Sequence, residues 1–480
     1  MERRQRVILF ILALGTLMGA LDSTIVILAF PTISAHLQSD LITTLWIILI
    51  YLLIVAITTT QLGRLGDIYG RSRMFNAGFA VFTVGSLFCG FSGTIEILII
   101  SRGIQAVGGS LMQANSGAII ADTFPPETRG AAYGYNSLGW TSGAMLGIVL
   151  GGIITTFVGW EYIFFINIPI GIVATVLGVL YIRDQERIDS KLDPVGMVLL
   201  AIGLICISYG AVHFVSVGNG LTSTALFAVG IAFIVIFGLW ELRSPAPLLD
   251  LGVFRDRVLR YSVLAAFFLA LGYISVVFLI IMYLQGIRGL DPLSASLLLT
   301  PGYLVGSLFS PFMGKLSDRY GARRIAAGGT VVIMLATLVY LSIGVDTPLW
   351  VILVASGISG LGTAMFFPAN NAAVMANARP GSFGSVSGVL RTVQNVGILM
   401  SFVVAISVAA ASIPRDVAFQ VFIGTTNLVG GVSEAFITGI HSALMVSLVI
   451  LVLALATSWF RGKGVREKGR AQAAQARNGR

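Results

Sequence analysis

The chain has 480 residues, 56% of them hydrophobic and only 11% charged, and its formal net charge is +9. Soluble domains carry about 25% charged residues, so this composition excludes a soluble globular protein and indicates an integral membrane protein whose surface faces lipid. The basic residues lie in short loops between apolar runs, which argues against a nucleic-acid partner. The two cysteines, Cys89 and Cys206, fall in apolar runs and indicate buried small hydrophobic side chains rather than a disulfide or a metal site.

Runs of about 20 apolar residues predict fourteen membrane-spanning helices. The first run follows Arg3, Arg4 and Arg6 and continues to Pro31, which exceeds the apolar core of a signal peptide and predicts an uncleaved span. The loop 412–436 is partly apolar, and both a segment on the membrane surface and a short hairpin stay open for it. In chain order the predicted spans are 7–30, 43–62, 74–93, 96–120, 130–158, 162–182, 195–214, 222–242, 259–284, 293–313, 325–344, 349–372, 385–411 and 437–460.

The distribution of arginine and lysine predicts an orientation for these spans. If the N-terminus is cytoplasmic, most of the basic residues, together with the tail after Phe460, fall on the cytoplasmic side. The loops on the opposite side then hold only Arg288 and Arg415. We therefore expect a multi-pass protein of the cell (plasma) membrane, surrounded by membrane lipid, with both termini in the cytoplasm.

A charged turn after the second predicted span is repeated far downstream. Gly63–Arg73 (GRLGDIYGRSR) returns as Gly314–Arg324 (GKLSDRYGARR) at an offset of 251 positions (314 − 63), and Gly103–Ala118 returns as Gly357–Ala372 at an offset of 254 (357 − 103). Such repeats predict two six-helix halves, with the seventh and eighth spans inserted between them. The expected domains are an N-terminal six-helix bundle over 1–190, an inserted two-helix hairpin over 191–245, a C-terminal six-helix bundle over 246–460 and a cytoplasmic tail over 461–480.

The repeated turn resembles the signature loop between the second and third spans of the Major Facilitator Superfamily. The positions that the family fixes are occupied by Gly63, Leu65, Asp67, Gly70 and Arg71. The resemblance implies a latch in which Asp67 meets the start of the thirteenth span near Gly384. Asp318 would meet the start of the fifth span near Gly130 in the same way. The alternative is that these charges only set the topology. The gating residues predicted from the resemblance are Gly63, Asp67, Gly70, Arg71, Arg73, Asp318, Arg319, Arg324 and Arg391.

Further stretches resemble the fourteen-span drug:proton antiporters of this superfamily. They are Leu21–Val26 with Pro31 in the first span, Trp160–Gly171 at the sixth, Pro247–Phe254 before the ninth, and Leu284–Pro301. The resemblance implies an all-α membrane protein of the Major Facilitator fold, with two six-helix bundles plus two inserted transmembrane helices. It also implies multidrug-type, proton-coupled efflux of small lipophilic or cationic compounds by alternating access through a central cavity. The proton gradient is the energy source, so we expect no cofactor, no enzymatic activity and a monomer.

Two charged residues inside predicted spans are the candidates for proton coupling. Asp22 lies well inside the first span, where burial favours a protonated carboxyl and marks a functional residue by default. The alternative is a structural hydrogen bond to Ser23, Thr24 or a neighbouring helix. Arg102 resembles the arginine of an antiporter motif that is linked to proton transfer, and its buried charge needs a partner. Three partners stay open: Gln105, Gln113 and Asp22.

Other polar side chains inside the predicted spans are candidates for the wall of a substrate cavity. The alternative is that several of them only form hydrogen bonds between helices. The candidates are Gln105, Gln113, Asn115, Asn136, Asn370, Asn371, Gln394 and Asn395. The sequence contains no phosphate loop, no paired catalytic carboxylates and no cluster of metal ligands, which disfavours an enzyme.

Five glycines in the fifth predicted span indicate close helix packing. A spacing of four residues puts most of them on one helical face, and the tenth span, through Gly302, Gly306 and Gly314, is the predicted partner. They resemble an antiporter motif that has a proline where this chain has Ile148, and Ile27 stands where the first-span motif has asparagine. These departures keep a facilitator, a symporter or an exporter of lipid or peptide open as alternatives. The glycines are Gly139, Gly143, Gly147, Gly151 and Gly152.

Overall fold

The structure, a computed structural model, describes residues 3–183, 191–217, 220–249, 251–378, 383–411 and 431–462. In these ranges the chain is helical and contains no strand, so the predicted all-α fold is confirmed. Each predicted span coincides with one long helix. The helices are α1 (Arg3–His36), α2 (Leu41–Tyr69), α3 (Arg71–Gly90), α4 (Ile95–Thr123), α5 (Pro126–Phe157), α6 (Asn167–Tyr181), α7 (Pro194–Val217), α8 (Leu221–Glu241), α9 (Arg257–Met282), α10 (Pro292–Tyr320), α11 (Ala322–Tyr340), α12 (Leu349–Asn377), α13 (Phe383–Ala411) and α14 (Gly431–Phe460).

Three short segments complete the described fold. A four-residue helix, Tyr162–Phe165, leads into α6, a 3₁₀ turn, Leu251–Arg255, precedes α9, and a π turn, Tyr283–Ile287, extends α9. Most of the predicted loop 412–436 and nearly all of the predicted tail lie outside the described residues.

Thirteen helices of the described ranges are long and apolar enough to cross a membrane. The exception among the predicted spans is α3, whose first turns carry Arg71, Arg73 and Asn76. Its 20 residues still extend about 30 Å, the thickness of a hydrocarbon core. Because α3 packs against α2, α4 and α6, it occupies the place of the third predicted span.

Acidic and glycine residues fix where several helices begin. Asp40, Asp256 and Asp291 each accept a hydrogen bond from the backbone amide three residues later, at 2.8, 2.9 and 3.0 Å, and so cap α2, α9 and α10. Gly70 and Gly321 adopt φ angles of 111° and 94°, which residues with a Cβ rarely take. These two glycines separate α2 from α3 and α10 from α11, so both copies of the repeated turn contain a glycine with a positive φ angle at the same place.

The helices pack in an arrangement that follows the repeat. In the first half α1 packs on α5, α2 on α4, and α3 on α4 and α6. In the second half α9 packs on α13 and α14, while α10 and α11 both pack on α12. The halves meet through α5 with α10 and through α2 with α13. The inserted helices α7 and α8 pack on each other, and α7 also contacts α2 and α13.

The glycines of α5 pack mainly against α1, which corrects the predicted partner α10. A Cβ atom on Gly143 would stand 2.3 Å from the carbonyl oxygen of Leu17 in α1. Gly152 alone of the five faces α10, where its Cβ would lie 2.4 Å from Ser296 Oγ. Adjacent residues point about 100° apart on a helix, so Gly152 leaves the line that the other glycines form. That line along α1 consists of Gly139, Gly143, Gly147 and Gly151. The three glycines of α10 lie against α12 instead: Gly302, Gly306 and Gly314.

Candidate functional site

A buried ion pair lies in the interior of the first half. Arg102 Nη1 of α4 lies 2.6 Å from Asp22 Oδ2 of α1, and the two residues are 2% and 0% exposed. Taking two charges out of water costs several kcal/mol per ion, and close pairing with further hydrogen bonds offsets that cost. The pair therefore depends on the groups that surround it.

A set of hydrogen bonds completes this ion-pair network. Gln105 Nε2 donates to Asp22 Oδ1 at 2.8 Å and to Ser86 Oγ at 2.7 Å, and Gln105 Oε1 accepts from Arg102 Nη1 at 2.5 Å. Asn167 Nδ2 donates to Asp22 Oδ1 at 3.4 Å. Of the three partners left open for Arg102, the structure brings Asp22 and Gln105 to it and places Gln113 elsewhere. The network thus ties together α1, α3, α4 and α6.

The guanidinium of Arg102 is also held from α2. Its Nε donates to the carbonyl oxygen of Ile47 at 3.1 Å, and its carbon lies 4.3 Å from the ring centre of Tyr51. A cation over an aromatic face is attracted by the ring electrons. Sequence reasoning missed Tyr51, Ser86 and Asn167. The polar Asn167 inside an apolar run was the only signal, because a tyrosine or serine in a span is ordinary.

Two hydrogen bonds join the halves near the signature turn. Asn395 Nδ2 of α13 donates to Gln113 Oε1 of α4 at 3.0 Å. The hydroxyl groups of Thr60 in α2 and Thr392 in α13 are 2.5 Å apart. Two predicted cavity residues therefore contact each other directly across the boundary between the halves. Gln394, which is half-buried, lies next to them in α13.

The remaining candidate cavity residues lie between helices. Asn115 Nδ2 donates to the carbonyl oxygen of Leu111 at 2.8 Å and to that of Leu62 at 3.4 Å, Asn136 Oδ1 accepts from Thr16 Oγ1 at 2.7 Å, and Asn370 Nδ2 donates to the carbonyl oxygen of Ser262 at 3.1 Å. The bond from Asn115 to Leu111 lies within α4, and the other bonds join neighbouring helices. The buried Asn371 Oδ1 has no partner among the described residues.

The halves also close at the end opposite the signature turn. The ring centres of Phe30 in α1 and Phe278 in α9 are 5.4 Å apart, and those of Phe278 and Phe402 in α13 are 5.6 Å apart. Gln285 Nε2 donates to the carbonyl oxygen of Leu28 at 3.0 Å. Beside these rings a small gap of about 30 Å³ is lined by apolar side chains only. The lining includes Phe30, Leu45, Phe278, Met282, Ile406 and Phe436.

The signature turn forms its own chain of ion pairs. Arg71 Nε donates to Asp67 Oδ1 at 2.8 Å, and Arg71 Nη1 lies 2.7 Å from both oxygens of Asp122 at the end of α4. Sequence reasoning missed Asp122, whose only signal was its place at a span end. The side chains of Asp318, Gly130 and the start of α13 lie outside the described residues, so neither predicted latch contact is described.

Three of the other predicted gating arginines lie at helix ends, and Arg391 lies about two turns inside α13. Arg73 and Arg324 are exposed, and the exposed Arg319 lies 5.5 Å from the ring centre of Tyr320. Arg391 is half-buried in α13.

The isoleucine at the antiporter-proline position joins the two halves. Ile148 is 1% exposed and packs in one apolar cluster with Leu28 of α1 and with Ala295 and Leu299 of α10. Helix α5 runs without a break through this position. Ile27 is partly buried against the same cluster.

The repeat gives the ion-pair network an uncharged counterpart. At offsets of 251 (273 − 22) and 254 (356 − 102), Tyr273 of α9 corresponds to Asp22, and Ser356 of α12 corresponds to Arg102. Among the described residues, the charged network is therefore confined to the first half.

Comparison with known proteins gives a consistent result. The family model "Major Facilitator Superfamily" matches residues 12–402. The chain is 30% identical to "Riboflavin transporter RibZ" of Clostridioides difficile, over 87% of this chain and 91% of that protein. It is 31% identical to "Tetracenomycin C resistance and export protein" of Streptomyces glaucescens, over 81% and 73%.

A solved structure supports the fold. The inward-facing, unoccupied crystal structure of a bacterial homolog to the human lysosomal transporter Spinster aligns with a TM-score of 0.67. The alignment covers 96% of this chain and 97% of that one at 15% identity. At this identity the likeness concerns the fold alone.

Proposed function

The chain belongs to the Major Facilitator Superfamily, whose members are transporters rather than enzymes, and from this premise we propose a proton-coupled exporter of small lipophilic compounds. Alternating access would expose the space between the halves first to one side of the membrane and then to the other. The relative named as a resistance and export protein supports export. We place the protein in the cell membrane with both termini in the cytoplasm, as the distribution of basic residues favours.

The observation that carries the proposal is the buried Asp22–Arg102 pair. In the structure the two residues are in contact as an ion pair. If helix motion separates them, Asp22 becomes an isolated buried carboxylate and takes up a proton. The pair therefore has two states, paired and ionised or separated and protonated, and the change between them would couple proton entry to the rocking of the halves.

The contacts between the halves fit such a cycle. The Gln113–Asn395 and Thr60–Thr392 hydrogen bonds close the end near the signature turn, and the Phe30–Phe278 contact closes the other end. In alternating access one set opens while the other stays closed. The side chains beside Phe30 would favour a lipophilic substrate over a polar one if the halves separated there, because they offer no hydrogen-bonding partner.

The proposal is tested in liposomes that contain the purified protein. An imposed pH gradient should drive a panel of fluorescent lipophilic compounds, ethidium among them, across the membrane. Asp22→Asn should abolish the response to the gradient, whereas Glu96→Gln, which changes an exposed carboxyl at the start of α4, should retain it. Transport at the same rate with and without the gradient, in the wild type and in Asp22→Asn, would contradict proton coupling.

A facilitator or symporter is the second candidate function. The relative named as a riboflavin transporter and the isoleucines at positions 27 and 148 favour it. In that case riboflavin offered to the same liposomes would move down its own gradient, or together with protons, and the lipophilic panel would not move. Assaying both compound classes in one preparation separates the two functions.

A further inference from the structure

A buried pair of carboxyl groups lies at the end of the inserted helices, away from Asp22. Asp193 immediately precedes α7 and Glu241 ends α8, and each residue is only 4% exposed. Both reach the same glycine, because a Cβ on Gly196 would stand 2.5 Å from Asp193 Oδ2 and 2.8 Å from Glu241 Oε1. The two carboxyl groups are therefore close neighbours, and two like charges at such a distance disfavour simultaneous ionisation.

The two carboxyl groups differ in their hydrogen-bond donors. Trp240 Nε1 lies 3.1 and 3.2 Å from the two oxygens of Asp193, and the Gly196 amide donates to Oδ1 at 2.9 Å. Glu241 Oε2 accepts from the Leu249 amide at 2.8 Å, but Oε1 is buried without a partner among the described residues. A proton on Oε1 would remove one charge and turn that oxygen into a donor beside Asp193. Glu241 is thus the member of the pair that holds the proton.

The end of the inserted hairpin that carries Asp193 and Glu241 is attached to the signature turn by Arg64. Arg64 Nη1 donates to the carbonyl oxygens of Lys191 and Ala246 at 2.8 and 2.9 Å, and Nη2 donates to that of Pro247. Lys191 precedes α7, whereas Ala246 and Pro247 follow α8. One guanidinium on α2 therefore holds both ends of the inserted hairpin.

A second residue of α2 strengthens this attachment. Gln61 Nε2 donates to the carbonyl oxygen of Asp193 at 2.8 Å, and the Asp193 amide donates to Gln61 Oε1 at 3.3 Å. The preceding residue, Thr60, is the one that contacts Thr392 in the second half. The hairpin base, the signature turn and the boundary between the halves thus meet within about one turn of α2.

We propose that Asp193 and Glu241 form a proton-binding site of their own, which adjusts through Arg64 how firmly the inserted hairpin holds the signature turn. The charged group that interacts with the pair in the described structure is Arg64, and Asp67 of α2 interacts with Arg64 in turn. With Glu241 protonated, the pair carries one negative charge. Loss of that proton at higher pH adds a second negative charge near Arg64 and strengthens the attraction, so acidification weakens the hold. Any effect of this pH dependence on transport rests on the proposed function, whereas the proton-binding site itself does not.

Infrared difference spectroscopy of the full chain in lipid nanodiscs tests the site without any transport assay. Between acidic and alkaline buffer we expect a carbonyl band of a buried protonated carboxyl group. Glu241→Gln should remove this band, because an amide does not titrate. The glutamine oxygen can still accept the hydrogen bond from the Leu249 amide, so the local structure should be kept. Asp22→Asn should retain the band, which separates this site from the coupling pair, and Glu96→Gln should retain it as the matched surface control.

The second variant is Arg64→Gln, which keeps the carboxyl pair but removes the nearby positive charge. Because a cation favours the ionised carboxyl, its loss should raise the pH at which the band disappears by about one unit. A purely structural role for Arg64 predicts no such shift. A band unchanged in Glu241→Gln, or a midpoint unchanged in Arg64→Gln, overturns the proposal. A wild-type protein that shows the band but no proton-driven transport would count against the proposed function only.

Discussion

Asp22 and Arg102 form a salt bridge although both side chains are almost completely buried. One buried charge without its partner is far more costly than the pair, because the remaining charge keeps its desolvation penalty and loses its compensation. Removal of Arg102 alone therefore leaves Asp22 buried without its counter-charge, whereas removal of both charged groups leaves no buried charge to compensate.

We expect Arg102→Gln to destabilise the protein more than the double variant Asp22→Asn/Arg102→Gln. Contacting residues in one network show coupling free energies of about 0.5–3 kcal/mol, and here the coupling should restore part of the melting temperature. Thermal unfolding of the detergent-solubilised proteins at one pH measures it, with Glu96→Gln as the surface control. Strictly additive losses from the two single variants would contradict a coupled buried pair.

Sequence reasoning reached the members of this network unevenly. Asp22 and Arg102 stand out because charges are rare inside spans, but nothing in the sequence pairs residues that are 80 positions apart. Tyr51 contributes the face of its ring, which an apolar run does not reveal. The buried Glu241 and Asp193 resemble ordinary residues at span ends, and only their packing makes them a pair.

At the scale of the helices, the α1–α5 contact depends on glycine. The backbones approach so closely that a methyl group on Gly143 would overlap the carbonyl oxygen of Leu17. Such an overlap with backbone cannot be relieved by turning a side chain, so the helices have to separate.

Gly143→Ala is therefore expected to lower the free energy of unfolding by about 1–3 kcal/mol, as overpacking does elsewhere. Gly134→Ala is the matched control, because a Cβ at that position of α5 meets nothing within 4 Å. Thermal unfolding and the yield of folded protein from membranes measure both. Equal stability of the two variants would contradict the close α1–α5 packing.

The sequence predicts the positions of the helices better than it predicts which helices pack against each other. Apolar runs locate all fourteen described helices, because every backbone group in lipid has to be satisfied within its own segment. Glycine spacing marks the close-packed face of α5, but it does not say which helix fills that face. The partner is set by the order of the helices in the bundle, so the prediction of α10 held only for Gly152.

At the scale of the whole molecule, the contacts near the signature turn have to break in each transport cycle. We expect a disulfide in Thr60→Cys/Thr392→Cys, made in a chain without the native Cys89 and Cys206, to stop transport until reductant is added. Thr16→Cys/Asn136→Cys is the control, since its disulfide would lie within the first half. Full activity of the oxidised Thr60/Thr392 pair would contradict rocking about this boundary.

The internal repeat predicted the two halves, because duplicated turns stay recognisable in sequence. It did not predict their chemical difference. Tyr273 stands at the position of Asp22 and Ser356 at that of Arg102, so two hydroxyl side chains occupy the places of the ion pair. A tyrosine hydroxyl keeps its proton at physiological pH, whereas a carboxyl can gain or lose one as its cation leaves or returns. The account therefore assigns proton coupling to the first half.

The most direct measurement follows protons and substrate together. Liposomes that contain the protein and a trapped pH-sensitive dye are given ethidium, and the movements of protons and ethidium are recorded at once. The account predicts that ethidium moving one way is accompanied by protons moving the other way, and that Asp22→Asn abolishes the proton movement. Ethidium transport without proton movement, or wild-type proton movement in Asp22→Asn, would contradict it.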